Sequence, residues 1–384
     1  MSIYGFLAGE ASGDNLGANL IRSLKRRDPD AEFIGIGGPA MIREGLDSWI
    51  DMDRLSVNGF VDPLKRLPEL IKILLQTRGR MLKAGPACFI GIDSNFFNLL
   101  LEGMLKKRGI RTVHYVSPTV WAWRKGRIRS IAKKVDLMLT LYPFELPIYH
   151  ENNIRAVCVG HPKADEIGFD DGEVGKLAAR QKYSVSEGTC LVAILPGSRG
   201  GEVAYTGADF LGAADNIFQQ KPGVEFIIPA ANEKRKAQIE LLLFKQDKNL
   251  PVTVTLGDAK TVMQAADVVL VNSGTATLEA MLLKKPMVMS YRLGTLSYAI
   301  ISRLVTTEFF ALPNILSQQA LVPELIQDAA TPAALSNEVL RLLDSEDAAL
   351  IEKFDEIHHD LRKNSGDVGA KAIIELIGEQ HVPA

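Results

Sequence analysis

Ten short runs rich in β-branched and aliphatic residues, separated by longer amphipathic stretches, constrain this chain more than anything else in it. The first five are I-Y-G-F-L (3–7), E-F-I-G-I (32–36), A-C-F-I-G-I (87–92), T-V-H-Y-V (112–116) and L-M-L-T-L (137–141). Helical spacing fills the gaps, as from Leu16 to Arg27 and from Phe97 to Lys107. Apolar strands alternating with helices form parallel sheets covered on both faces. The series pauses in the polar, glycine-rich G-H-P-K-A-D-E-I-G-F-D-D-G-E (160–173). It resumes with C-L-V-A-I-L (190–195), E-F-I-I-P (225–229), V-T-V-T-L (252–256), D-V-V-L-V (267–271) and P-M-V-M-S-Y (286–291). A chain of 384 residues exceeds one ordinary core. The expected fold is α/β: two Rossmann-like, doubly wound domains facing a cleft, spanning 1–165 and 166–355, with C-terminal helices in 356–384 returning to the first domain.

Composition narrows the function classes. Three cysteines, Cys88, Cys158 and Cys190, each in an apolar stretch and without zinc spacing, point to a reducing cytoplasm. The N-terminus lacks the basic region and cleavage site of a signal peptide, and no run approaches the roughly 20 apolar residues of a spanning helix. The net charge of −2 hides +7 over residues 1–150 and −9 over the remainder. The first half therefore favours anionic partners.

Ligands of doubly wound sheets bind beyond the carboxyl ends of the strands. There, D-V-V-L-V passes into N-S-G-T-A-T-L-E (272–279), a small-residue turn entering a helix near Thr275. The N–H groups of Ser273, Gly274, Thr275, Ala276 and Thr277, with three hydroxyls, suit a phosphate, and Glu279 suits a ribose diol. The bland reading is a capped helix with a surface glutamate. A second strand end, A-I-L-P-G-S-R-G-G-E (193–202), adds glycines for close approach and the pair Ser198 and Arg199, whose guanidinium is a forked phosphate donor. Two such loops make nucleotide binding the better reading. No G-x-x-x-x-G-K-[ST] occurs, and neither G-E-A-S-G-D-N-L-G nor G-I-G-G-P forms G-x-G-x-x-G. Asp51 and Asp53, in W-I-D-M-D-R-L, read as a solvated loop rather than a metal site.

In the first half, A-G-E-A-S-G-D (8–14) and H-Y-V-S-P-T-V-W-A-W-R (114–124) follow strands, and I-G-I-D delivers a lone carboxylate, Asp93, to a third strand end. Glu10, Ser12, Asp14, Ser117 and Trp123 suit a sugar-sized pocket; capping and packing are their bland roles. His114 is expected to be a hydrogen-bonded structural residue. The segment 60–83 mixes aliphatics with basic residues, among them Leu64, Lys65, Arg66, Leu67 and Lys72. It fits either a core-facing helix with a solvated basic face or a helix lying on an anionic membrane. The further basic run Arg124, Lys125, Arg127, Arg129, Lys133 and Lys134 favours the anionic surface. No nucleic-acid reading module accompanies it.

In this order, A-G-E-A-S-G-D, H-Y-V-S-P-T-V-W-A-W-R, L-P-G-S-R-G-G-E-V (195–203), S-G-T-A-T-L-E (273–279) and L-P-N-I-L (312–316) make the chain resemble the lipid-A-disaccharide synthases, over nearly its whole length. The resemblance implies a GT-B fold, with an acceptor and membrane-facing domain followed by a UDP-sugar domain. It implies transfer of 2,3-diacylglucosamine from UDP to the 6-hydroxyl of 2,3-diacylglucosamine 1-phosphate, giving a β-1,6-linked disaccharide and UDP. It further implies work at the cytoplasmic face of the inner membrane, no required metal or other cofactor, and in some members a homodimer exchanging C-terminal segments.

On this resemblance Asp93 is the expected base of an inverting transfer. Arg199 and the N–H groups from Ser273 to Thr277 would stabilise departing UDP, and Asn314 and Glu279 fall near the nucleotide. Two positions depart from the family pattern. Phe96 replaces a second aspartate, so an apolar wall that raises the Asp93 pKa is expected. Ser317, Gln318, Gln319 and Ala320 replace a charged run. Another UDP-sugar transferase or 2-epimerase, and a non-catalytic membrane-associated nucleotide-sugar binder, remain the alternative readings.

Overall fold

The computed structural model describes residues 2–55, 62–120, 125–246, 250–294, 298, 307–345 and 347–379. The chain forms two compact units, the first comprising 1–165 and 360–384, the second 166–359. Residues 360–384 thus belong to the first unit rather than standing apart.

The first unit is built on a parallel sheet of strands β1 (Ile3–Ala8), β2 (Glu32–Ile36), β3 (Leu46–Ser48), β4 (Cys88–Ile92), β5 (Arg111–Tyr115), β6 (Leu137–Thr140) and β7 (Ala156–Cys158), ordered β3-β2-β1-β4-β5-β6-β7. The order reverses between β1 and β4, whose register pairs Ala8 with Ile92. The apolar run of β4 is buried at every position because helices cover both faces. On one face Leu20, Ile21 and Leu24 of the helix Ala11–Arg27 share a core with Ala370, Ile373 and Leu376 of the helix Ser365–Gly378. Full burial of each such aliphatic side chain contributes about 1.5–3 kcal/mol. The last helix is therefore an integral layer of this unit.

The second unit has a six-stranded parallel sheet of β8 (Leu191–Leu195), β9 (Glu225–Ala230), β10 (Val252–Leu256), β11 (Val268–Asn272), β12 (Met287–Tyr291) and β13 (Glu324–Ile326), ordered β10-β9-β8-β11-β12-β13. Its order reverses between β8 and β11. Strands β3, β7 and β13 are not evident from sequence, for a physical reason: each has three residues, too few to show a period.

The helix Asp62–Ala84 covers most of the segment 60–83. Ile73, Leu74, Thr77 and Met81 enter the core, while Leu67, Ile71 and Leu75, one turn apart, are 44%, 47% and 52% exposed. No helix among the described residues is long and apolar enough to cross a membrane.

Candidate active site

In the first unit the reversal point of the sheet brings the end of β4 beside the end of β1, the crevice where open α/β sheets hold ligands. Asp93 is the first residue past β4. Its N–H donates to Tyr115 O (2.9 Å), extending the ladder by one bond. The chain then turns sharply, with Asp93 at φ 50° and Ser94 at φ 44° before the helix Asn95–Lys106. At the neighbouring end of β5, Val116 has φ 81° and Thr119 φ 46°. Left-handed backbone at non-glycine residues costs about 1–3 kcal/mol each, most at a β-branched residue such as Val116. Such strain must be held by surrounding contacts.

Asn98 holds it at β4. Fully buried, it donates from Nδ2 to Leu7 O (3.3 Å), Ile92 O (3.1 Å) and Asp93 O (2.8 Å). One turn on, Glu102 Oε1 lies 2.7 Å from His114 Nδ1, both side chains fully buried. Burial raises the Glu102 pKa, and the adjacent His114 opposes the rise. The glycine of I-G-I-D explains how these polar groups fit: a Cβ at Gly91 would stand 2.3 Å from Glu102 Oε1 and 2.9 Å from Asn98. Sequence reasoning singled out neither Asn98 nor Glu102. Their signal was two polar residues one turn apart on an otherwise apolar helix.

The other first-unit candidates divide. Glu10 and Ser12 are exposed at the start of the helix Ala11–Arg27, and the Glu10 side chain caps nothing. Asp14, also read as a pocket residue, has a buried carboxylate that accepts from Gly38 N (2.9 Å), Ala40 N (2.8 Å) and Met41 N (3.0 Å), capping the helix Pro39–Arg43. Ser117 is likewise buried, its Oγ 2.7 Å from the Tyr149 hydroxyl. Trp123 lies outside the described residues, as do the side chains of Leu64 and Lys65. Phe96, expected to give Asp93 an apolar wall, is 76% exposed. Asp51 caps its own turn by accepting from Asp53 N (2.9 Å).

In the second unit the loops after β8 and β11 flank the reversal point. Arg199, with its side chain 78% exposed, precedes the helix Gly200–Gln220. Glu202 accepts from Ser198 N (2.9 Å) and Arg199 N (3.0 Å), and its other oxygen meets Arg199 Nη1 (3.1 Å). A carboxylate from the chain itself thus sits on the donors expected to hold a phosphate. At the second loop Gly274, at φ 150°, enters the helix Thr275–Leu282 with open space where a Cβ would lie. The first-turn N–H groups of that helix, including those of Thr275 and Ala276, have no intrahelical acceptors. Thr277 is committed internally, its Oγ1 donating to Gly274 O (2.8 Å). Glu279 is half-buried one turn in.

Asn314, expected near the nucleotide, is held by bonds within its own unit. It is 1% exposed; Nδ2 donates to Val322 O (2.9 Å) and Glu324 Oε1 (2.8 Å), and Oδ1 accepts from Val322 N (2.9 Å). Glu324 also accepts from Phe310 N (3.0 Å) and Ala311 N (2.9 Å), while Ser273 Oγ donates to Phe310 O (3.2 Å). Asn314 and Glu324 therefore build the loop that abuts Ser273. Asn272, buried at the end of β11 with Oδ1 unpartnered among the described residues, is a further polar group at this point.

A family model described as lipid-A-disaccharide synthetase matches residues 4–375. The chain belongs to the lipid-A-disaccharide synthetase family. The lipid-A-disaccharide synthase of Saccharophagus degradans is 50% identical over 375 residues, covering 97% of this chain and 96% of that one. That of Pseudomonas putida is 48% identical over 377 residues, covering 97% and 98%. Among solved structures, a UDP-GlcNAc 2-epimerase from Neisseria meningitidis bound to UDP-GlcNAc superposes with a TM-score of 0.62 at 11% identity, covering 98% of this chain and 99% of that chain. The glycotransferase of kitacinnamycin gives 0.62 at 15%, covering 98% of each. These two show the GT-B arrangement of paired Rossmann-like domains. As a member of the lipid-A-disaccharide synthetase family the chain is a glycosyltransferase of lipid A biosynthesis, transferring a diacylglucosamine unit from UDP.

Proposed function

We propose that Asp93 is the base of this transfer and that the loops after β8 and β11 carry UDP. The acceptor would be 2,3-diacylglucosamine 1-phosphate and the donor UDP-2,3-diacylglucosamine. A β-linkage made from an α-linked UDP sugar requires inversion, with one group removing the proton of the acceptor 6-hydroxyl as its oxygen attacks the anomeric carbon. The observation that carries the assignment is the placement of Asp93: a half-buried carboxylate on left-handed backbone at the reversal point of its sheet, fixed by Asn98. Strain held in place at a strand end is typical of functional positions.

UDP leaves with added negative charge. The Arg199 guanidinium and the first-turn N–H groups of the helix Thr275–Leu282 are suited to stabilise it. Because Glu202 rests on the Ser198 and Arg199 N–H groups, a diphosphate entering here has to share Arg199 with it. Glu10 and Ser12, exposed beside β1, are the groups available to sugar hydroxyls.

The acyl chains of the substrates call for a membrane surface, and Leu67, Ile71 and Leu75 supply an apolar stripe on a helix that also carries Arg66 and exposed Lys72. Docking of this stripe on the anionic cytoplasmic face of the inner membrane accounts for its exposure. The deciding experiment is Asp93→Asn: kcat for disaccharide formation should drop at least 100-fold while UDP affinity stays within twofold. Full turnover by a folded variant would remove Asp93 as the base.

A further inference from the structure

The second unit has an open cavity of about 730 Å³ at the opposite end of its sheet from the two nucleotide loops. It lies where β8, β11 and β12 begin, lined there by Cys190, Val268 and Pro286. Four cations, Lys176, Arg180, Lys284 and Lys285, line it together with Glu173, Glu187 and Asp267.

Most of these charges are accounted for. Asp267 takes Lys176 Nζ (3.0 Å), Arg180 Nη2 (2.7 Å) and the Leu191 N–H (2.9 Å). Arg180 also donates to Ala265 O (3.1 Å) and Thr189 O (3.0 Å). Lys284 pairs with Asp355 (3.1 Å) and lies 2.9 Å from His358 Nδ1. Lys285 is different. It is 5% exposed and forms no direct ion pair or hydrogen bond among the described residues, the charges of Glu173 and Asp267 reaching it only at longer range.

An ammonium taken out of water without a partner is unfavourable, and the usual resolutions are a counter-ion or loss of the proton. Lys285 follows the end of the helix Thr275–Leu282, whose dipole favours a cation there but provides no counter-ion. Asp267 already serves two cations, so the cavity floor holds more positive than negative charge. Glu173 and Glu187 are both exposed, where water and salt screen them. Leu177, Val185, Leu342 and Leu343 give the same cavity an apolar wall.

We infer that this cavity is a second ligand site, which binds a small phosphate monoester with its phosphoryl group on Lys285 and Lys176 and its apolar body against Leu177 and Leu342. The volume lies within the range of small-molecule sites. The proton balance agrees with the geometry: burial first and Lys176 next bring the Lys285 pKa down to about 8, against the opposing charges of Glu173 and Asp267. A bound anion favours the charged amine, so affinity should weaken as pH rises above that value.

The test uses the full chain saturated with UDP, so that the nucleotide loops are occupied. Lys285 is labelled with an amine acylating reagent at pH 8 and followed by mass spectrometry, with inorganic phosphate, butyl phosphate or chloride at equal ionic strength. Phosphate should slow labelling of Lys285 at least fivefold relative to chloride, and butyl phosphate should do so at a concentration at least threefold lower. In calorimetry, butyl phosphate binding should be lost in Lys285→Met while UDP affinity is unchanged. Equal labelling in phosphate, butyl phosphate and chloride would overturn the site. So would equal butyl phosphate binding by wild type and variant. The labelling arm uses wild-type protein, so the test does not depend on how the variant folds.

Discussion

Asn98→Leu separates the positioning of Asp93 from its chemistry. Leucine keeps the side-chain volume, so no large cavity opens, but it removes the amide that donates to Leu7, Ile92 and Asp93 carbonyls. The bonds at 2.8 and 3.1 Å matter most; the one at 3.3 Å is weaker. Leaving one buried and one part-buried carbonyl without this donor costs about 1–3 kcal/mol each. Against this, Asn98 Oδ1 has no partner among the described residues, so replacing it returns about 1–2 kcal/mol. The net loss is about 2–3 kcal/mol, a shift of about 5–10 °C in the melting of the first unit. The same amide restrains the left-handed pair Asp93 and Ser94, and a misplacement of about 1 Å at a reacting group costs about 100-fold in rate. Initial rates of disaccharide formation, differential scanning calorimetry and UDP titration read the three consequences. The expectation is a kcat reduced about 100-fold, a lowered first transition and an unchanged UDP affinity, because the loops proposed to carry UDP belong to the other unit. If kcat stays within twofold of wild type although the transition drops, Asn98 stabilises the strand end without placing Asp93.

Gly366→Ala puts a Cβ 2.0 Å from Asn19 Oδ1 and 3.0 Å from Asn19 O, so the helix Ser365–Gly378 has to shift off the helix Ala11–Arg27. The expected cost is about 1–3 kcal/mol, seen as faster proteolysis of the C-terminal helix. Burial, reinforced by Lys163, holds His161 down to about 4 from its ordinary 6.5. Below about 6.5 the unfolded chain binds the extra proton and the folded one does not, so first-unit stability falls from pH 6.5 to 4 and is flat above. His161→Phe should flatten that slope in pH-dependent urea unfolding; an unchanged slope would assign the loss to other groups. The exposed apolar stripe is probed by the double variant Leu67→Glu with Leu75→Glu, which places two carboxylates on the face meant to meet an anionic surface. Partition onto anionic vesicles should fall at least tenfold with UDP affinity retained, and unchanged partition would dismiss this face.

The amino-acid sequence by itself determined the fold class and the places where ligands could bind. Alternating apolar runs of five or six residues and amphipathic helices admit little but doubly wound sheets, and glycines, hydroxyls and a carboxylate at strand ends mark the crevices. Asp93, Ser273 and Arg199, the residues proposed for the base and for UDP, were singled out for that reason, each read from its own stretch of chain. Tertiary structure alone decided which polar groups are still free to meet a ligand. Asp14, Ser117 and Asn314 carry the same kinds of polar group as the other candidates, yet their atoms are used by the Gly38–Met41 turn, by Tyr149, and by Val322 with Glu324. A buried polar group must find a partner, and those partners lie 8 to 32 residues away along the chain. Asn98 under β4 and the lone ammonium of Lys285 could be recognised only in the same way, because burial and lack of a partner are properties of the packed chain.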